Sequence, residues 1–197
     1  MNDQFSVKAG LHLLAISGSL RTASANTTVL RAAVRLAPEH VVISLYDGLG
    51  DLPHFDPDLD GEIPPRAVRD FRARLAAADA VLLCSPEYAH GVPGGLKNAL
   101  DWIVSSGEFM GKPVAIVNAR PASTFAQASL RETLSVMMAE IDEAASVTLP
   151  RRHQIQQLVF PCAIQRAAEA TISLLKYIAG AFQEGTALPL PNRVLDR

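Results

Sequence analysis

The 197-residue chain has few cysteines and few aromatics, almost no net charge and no long hydrophobic run. Each shortage excludes something. Cys84 and Cys162 are the only cysteines and have no CxxC spacing, so neither a disulfide framework nor a thiolate zinc site follows, and each reads as a small core residue. The five histidines, His12, His40, His54, His90 and His153, show no i, i+4 pairing, and no metal site is expected from them. A net charge of −2 leaves no electrostatic footprint for nucleic acid, and no basic amphipathic stretch points to a membrane surface. No apolar run approaches the ~18 residues of a membrane span. The N-terminus, Met1-Asn2-Asp3-Gln4-Phe5, lacks the basic-then-apolar build of a signal peptide, so a cytoplasmic protein is expected.

What is present is a regular alternation of short β-rich runs with helical patterns. The expected strands are Leu11 to Ser17, His40 to Leu45, Ala80 to Cys84, Val114 to Asn118 and Ser146 to Leu149, most of them continuously apolar. Continuity of that kind is expected where helices cover both faces of a strand. The expected helices are Thr27 to Leu36, Pro65 to Ala78, Gly94 to Val104, Ala126 to Ile141 and Ile164 to Phe182, with Val68, Phe71 and Leu75 marking one buried stripe and Leu130, Leu134, Met137 and Ile141 another. The simplest right-handed winding of these units is one domain over residues 1–197. It is a three-layer α/β/α sandwich on a five-stranded parallel sheet, in flavodoxin-like order 2-1-3-4-5. A long acidic, proline-bearing connection from Asp47 to Pro64 interrupts the alternation and carries His54, which either borders the pocket or is surface.

Ligands in such folds bind beyond the carboxyl ends of the strands, where the winding reverses. After the first strand comes Ser17-Gly18-Ser19-Leu20-Arg21-Thr22-Ala23-Ser24-Ala25-Asn26-Thr27, rich in hydroxyls, with one arginine and a helix about to start. A helix N-terminus, hydroxyls and a guanidinium together suit a phosphate. Ser24 or Asn26 also serves as a plain N-cap, and Arg21 as a solvated charge, with no ligand at all. Neither a P-loop lysine nor a GxGxxG fingerprint is present, which disfavours nucleoside triphosphates and a resident dinucleotide.

After the third strand, Ser85-Pro86-Glu87-Tyr88-Ala89-His90-Gly91-Val92-Pro93-Gly94-Gly95 combines stiffening prolines with glycines that admit a flat ligand, and Tyr88 and His90 are placed to flank a ring. Their plainer reading is a loop aromatic packed on its own turn and an exposed histidine. After the fourth strand, Asn118 to Thr124 brings Arg120 either to the ligand or to the surface.

With Gly18-Ser19-Leu20-Arg21, Ser24 and Asn26 in the first loop, and Pro86-Glu87-Tyr88, Gly91, Pro93-Gly94-Gly95-Leu96-Lys97-Asn98-Ala99 and Asp101-Trp102 in the second, the chain resembles the NADPH-dependent FMN reductases, which include chromate and quinone reductases. The resemblance covers roughly residues 10 to 150. It implies FMN, with the phosphate held by Ser19, Arg21, Ser24, Asn26 and Thr27. The ring would rest against Pro86, Glu87, Tyr88, His90 and Gly91, with Asn118 and Arg120 completing the pocket. It further implies NADPH or NADH as co-substrate, a small-molecule electron acceptor, and a homodimer or homotetramer.

Two departures stand out. Ala89 occupies a position where the family commonly has asparagine, leaving His90 as the nearest polar substitute. No glycine occurs from Asn118 to Leu130, where many relatives carry paired glycines ahead of the Leu-Arg that matches Leu130-Arg131. Trp102 reads as a packing or subunit-interface residue. A flavodoxin-type electron carrier is the alternative function, although weak net charge argues against electrostatic docking of a protein partner. A redox-regulated flavin module would require Cys84 or Cys162 to be exposed.

Overall fold

The computed structural model describes residues 11–149 apart from 38, 40 and 144. The element order is β1 (Leu11–Ser17), α1 (Ala25–Leu36), β2 (Val41–Tyr46), α2 (Arg66–Ala77), β3 (Ala80–Cys84), α3 (Gly94–Asp101), β4 (Pro113–Asn118), α4 (Thr124–Val136), β5 (Glu140–Ile141) and β6 (Val147–Thr148). The helix expected from Ile164 to Phe182 lies outside the described residues, as do both ends of the expected 1–197 domain.

The strands form one parallel sheet in the order β2-β1-β3-β4-β5, with β6 also on β4. This is the flavodoxin-like arrangement expected from the sequence. Period-two alternation explains why nearly every strand residue is apolar. Leu14, Ile16, Val81, Leu83, Val114 and Ile116 face α2, α3 and α4, whereas Leu13, Ala15, Ala80, Leu82, Cys84, Ala115 and Val117 face the side on which α1 packs. The sheet is thus the middle of three layers, and the helical stripes of Val68, Phe71, Leu75 and of Leu130, Leu134 close one outer layer onto it.

At the fifth sheet position the expectation needs correcting. Instead of one strand from Ser146 to Leu149, two short strands share the edge of β4. Glu140 and Ile141 pair with Pro113 and Val114, while Val147 and Thr148 pair with Val117 and Asn118. Five residues therefore lie between the paired positions Ile141 and Val147 on this edge against two between Val114 and Val117 on β4, and the surplus bulges out. Ser146 repairs the ladder at the bulge, because its Oγ accepts from the Ile116 N–H at 3.0 Å and donates to the Asp142 carbonyl at 2.8 Å. The fourth helix also ends earlier than its stripe suggested. It stops at Val136, Met138 takes a φ of 58°, and Ile141 becomes a strand residue.

The acidic connection is fixed rather than loose. The side-chain amide of Asn98 donates to the Pro53 carbonyl at 2.9 Å while its Oδ1 accepts from the Phe55 N–H at 2.7 Å. Trp102 adds an indole N–H bond to the same carbonyl at 2.8 Å and an edge contact with the Phe55 ring. Farther along, Arg72 pairs with Asp60 at 2.7 Å, and Ser105 donates to the other Asp60 oxygen at 2.6 Å. The Ser105 hydroxyl, with the Arg72 guanidinium behind it, holds the Asp60 carboxyl below its ordinary range. Asn98 and Trp102, both inside the second sequence motif, thus anchor this connection to α3.

Candidate functional site

Three loops leave the carboxyl ends of β1, β3 and β4, which are neighbours in the sheet. The first begins where the Gly18 N–H bonds the Cys84 carbonyl at 2.9 Å, extending the β1–β3 ladder by one residue. A methyl group on Gly18 would sit 2.7 Å from the Ser85 hydroxyl and 3.0 Å from Leu96. Only glycine lets the two loops start this close together.

Hydroxyls then organise the loop. Ser17 Oγ and Thr27 Oγ1 lie 2.8 Å apart, Ser17 Oγ accepts from the Ser19 N–H at 3.3 Å, and Ser19 Oγ accepts from the Arg21 N–H at 3.3 Å. Ser24 is the N-cap of α1, with extended backbone angles and its Oγ accepting from the Thr27 N–H at 3.4 Å. Asn26, the other candidate cap, sits within the first turn. Its side chain is buried, and Oδ1 receives the Cys84 thiol at 3.3 Å. No acidic residue occurs in the first turn of α1, and the exposed Arg21 guanidinium has no partner among the described residues. Helix dipole, hydroxyls and a free guanidinium together match the chemistry of a phosphate monoester.

The second loop is stiffer than its glycines suggest. Tyr88 and Gly91 exchange backbone hydrogen bonds at 3.1 and 2.9 Å, making a two-residue hairpin with Ala89 and His90 at its tip. Both tip residues have positive φ, 47° and 59°. That is the φ signature of a type I′ turn, which favours Asn-Gly and carries a steric cost for alanine or histidine. The His90 ring stacks on Phe125 with centroids 4.2 Å apart and planes 18° from parallel. Tyr88 and Phe125 are both exposed. Pro86 and Gly91 are half-buried at the base.

Glu87 points away from the loop tip, and its Oε2 accepts from the Ala126 N–H at 2.8 Å. A carboxylate there complements the positive end of α4, which lacks a cap from its own Ser123. The second loop is thereby tied to the third. In the third, Asn118 Oδ1 accepts from the Arg120 N–H at 3.0 Å, Asn118 O accepts from the Leu149 N–H at 2.8 Å, and Arg120 itself is exposed. Sequence reasoning missed Phe125. Nothing in its spacing marks it, since it lies on the exposed side of the first turn of α4 and acquires a role only by meeting His90 across the loops.

The sequence pattern of NADPH-dependent FMN reductases matches residues 11–153, which takes in all three loops. The chain belongs to that family. Its relatives include an NAD(P)H-dependent FMN reductase of Pseudomonas aeruginosa, 41% identical over 129 residues that span 63% of this chain and 69% of that protein. A quinone reductase of Pseudomonas putida is 40% identical over 113 residues, spanning 55% of this chain and 59% of the relative. Among solved structures, the flavoenzyme NAD(P)H:(acceptor) oxidoreductase FerB from Paracoccus denitrificans superposes with a TM-score of 0.61 at 27% identity, covering 86% of this chain and 94% of that one. Membership bears out the expectation of a flavodoxin-like oxidoreductase that uses FMN with a nicotinamide co-substrate.

The positive φ of Ala89 favours asparagine at this position, because asparagine tolerates that conformation better than alanine. Ala89→Asn is expected to raise folding stability by roughly 0.5–1 kcal/mol, read as a higher denaturant midpoint at unchanged slope. A lower midpoint would show that the turn stores no strain. The requirement for an exposed thiol in a redox-regulated module is not met by Cys84. It is fully buried, and burial pushes its thiol up to about 12, so it carries no thiolate at neutral pH. Cys162 lies outside the described residues.

Proposed function

We propose that the chain is an NAD(P)H-dependent oxidoreductase that binds FMN across the first two loops and delivers electrons to a small acceptor such as a quinone or free flavin. The observation that carries this reading is the juxtaposition at the switch point of an anion-binding loop with a rigid, ring-bearing hairpin. FMN needs both, a phosphate cradle and a flat surface. When bound, it supplies the hydride chemistry, taking reducing equivalents from the nicotinamide and passing them on.

The residues of the chain bind and orient. Arg21, Ser19, Thr27 and the N-terminus of α1 hold the phosphate, with Ser24 as the cap that aims that helix. Asn26 acts from behind, joining α1 to β3 through Cys84. Pro86, Tyr88, His90 and Gly91 form the ring-side wall, while Glu87 fixes its distance from α4. Asn118 and Arg120 close the third side, and Arg120 offers positive charge to an acceptor or to a nicotinamide phosphate. No general acid or base is assigned, since hydride transfer from nicotinamide requires none from the protein.

The reading extends to a cytoplasmic homodimer or homotetramer without nucleic acid or membrane partners. One observation supports the oligomer: Leu59, Ile63 and Val104 are exposed apolar side chains, surface available to a second copy. No helix among the described residues is long and apolar enough to cross a membrane.

The deciding experiment is spectroscopic. The purified protein, reconstituted with FMN under anaerobic conditions, is expected to lose its visible flavin absorbance on addition of NADPH or NADH and to regain it with a quinone. A yellow protein that fails to bleach would favour the electron-carrier alternative. A protein that cannot be loaded with FMN would end the proposal.

A further inference from the structure

One sulfur atom lies beneath all three loops. Cys84 ends β3, the strand between β1 and β4, and is followed at once by the second loop. Its Sγ donates at 3.3 Å to Oδ1 of Asn26, on the first turn of α1, where the first loop ends. The backbone N–H of Ala119, at the start of the third loop, acts on the same sulfur. Cys84 and Asn26 are both buried.

The two ends of an asparagine amide are nearly equal in size, one accepting and one donating, so the partner it meets sets which way it lies. Here the partner has a proton to give. Burial pushes the Cys84 thiol up to about 12, against the opposing pull of the Ala119 N–H, so the S–H is intact throughout the neutral range. Asn26 Oδ1 is the acceptor that the thiol has among the described residues. A reversed amide would leave that proton buried without an acceptor, at a cost in free energy. The thiol therefore selects the orientation with oxygen inward, and Nδ2 becomes the outer end. Among the described residues, Gln127 Nε2 is the only side-chain nitrogen or oxygen that is both fully enclosed and without a partner. Asn26 Nδ2, which also lacks a partner among them, is accordingly open to the surface, on the turn that Ser24 caps and Thr27 shares.

We propose that Cys84 is a positioning residue for the anion site: by holding the Asn26 oxygen inward, it presents the amide nitrogen as a donor to the phosphate of FMN. The inference rests on the reading of the first loop as the phosphate site. It gives a buried thiol a part in ligand binding that needs neither exposure nor redox change. The hydroxyls of Ser19 and Thr27 can rotate to donate or to accept, whereas an amide pinned at its oxygen can only donate. An oxygen in place of that nitrogen would repel the phosphate, so the contribution depends on the thiol making the choice.

The test is fluorescence titration of the flavin-free protein with FMN and with riboflavin, which has the same ring and no phosphate. Cys84→Ala and Cys84→Val both remove the donor, one leaving a smaller side chain and one a larger. Each should raise the FMN dissociation constant about five- to tenfold, roughly the effect of one hydrogen bond, while riboflavin binding changes less than about twofold. Cys84→Ser, which retains a donor, should keep the ratio of FMN to riboflavin affinity within about threefold of the parent. A ratio unchanged in both donor-free variants would overturn the proposal. So would equal weakening of the two flavins, the mark of a residue that only packs the sheet, or a serine variant as poor as alanine. A parent that binds FMN no more tightly than riboflavin would instead refute the phosphate assignment itself, and this inference with it.

Discussion

Replacing Trp102 with alanine is expected to remove about 3–5 kcal/mol of folding stability, the range for deleting a large buried aromatic. The side chain is fully buried, its indole N–H bonds the Pro53 carbonyl, its ring meets Phe55 edge-on, and its own carbonyl accepts from Arg72. The loss therefore combines a cavity in the core under α3 with release of the 52–57 segment. Trp102→Phe separates the two contributions. It retains most of the packing and leaves Asn98 on the same carbonyl, so a cost of about 1 kcal/mol is expected, the value of one hydrogen bond. Urea denaturation monitored by circular dichroism measures both. An alanine variant within 1 kcal/mol of the parent, roughly one hydrogen bond, would show that the segment does not depend on this anchor.

Arg21→Ala is expected to raise the FMN dissociation constant by roughly ten- to a hundredfold, since a charge-assisted bond to phosphate contributes about 1.5–3 kcal/mol. Arg120→Ala should change it by less than about threefold, as an exposed charge not committed to the phosphate has a small effect. Both guanidiniums are exposed, so neither substitution threatens the fold. Flavin fluorescence titration at two salt concentrations provides the comparison, with the parent protein showing the steeper salt dependence. Equal losses in the two variants would refute the assignment of the phosphate to the first loop.

Much of this protein was legible before folding was considered. Near-continuous apolar runs such as Ala80 to Cys84 signal strands buried on both faces, and the structure buries every residue of that run. The motif around Pro86 to Trp102 was legible as the loop and helix that follow β3, and its residues divide between two tasks. Tyr88 pairs with Gly91 across the hairpin and His90 stands at its tip, whereas Asn98 and Trp102 secure the acidic connection to α3. The edge of the sheet was least legible. Ile141 continues the helical spacing of Leu130, Leu134 and Met137, and periodicity alone cannot show that the chain leaves the helix at Val136 to pair with Val114.

The sequence by itself determined the winding, the position of the three loops at the carboxyl ends of neighbouring strands, and the family. All of these rest on patterns between residues close in the chain or on motifs read directly. Tertiary structure alone decided which atoms remain free. It turned Asn26 inward to a thiol 58 residues away, set Glu87 on the end of α4, placed His90 on Phe125, and left Gln127 Nε2 buried without a partner among the described residues. Those outcomes depend on packing between distant segments, where a hydrogen bond forms or fails over less than an ångström, and no local periodicity encodes a distance of that kind.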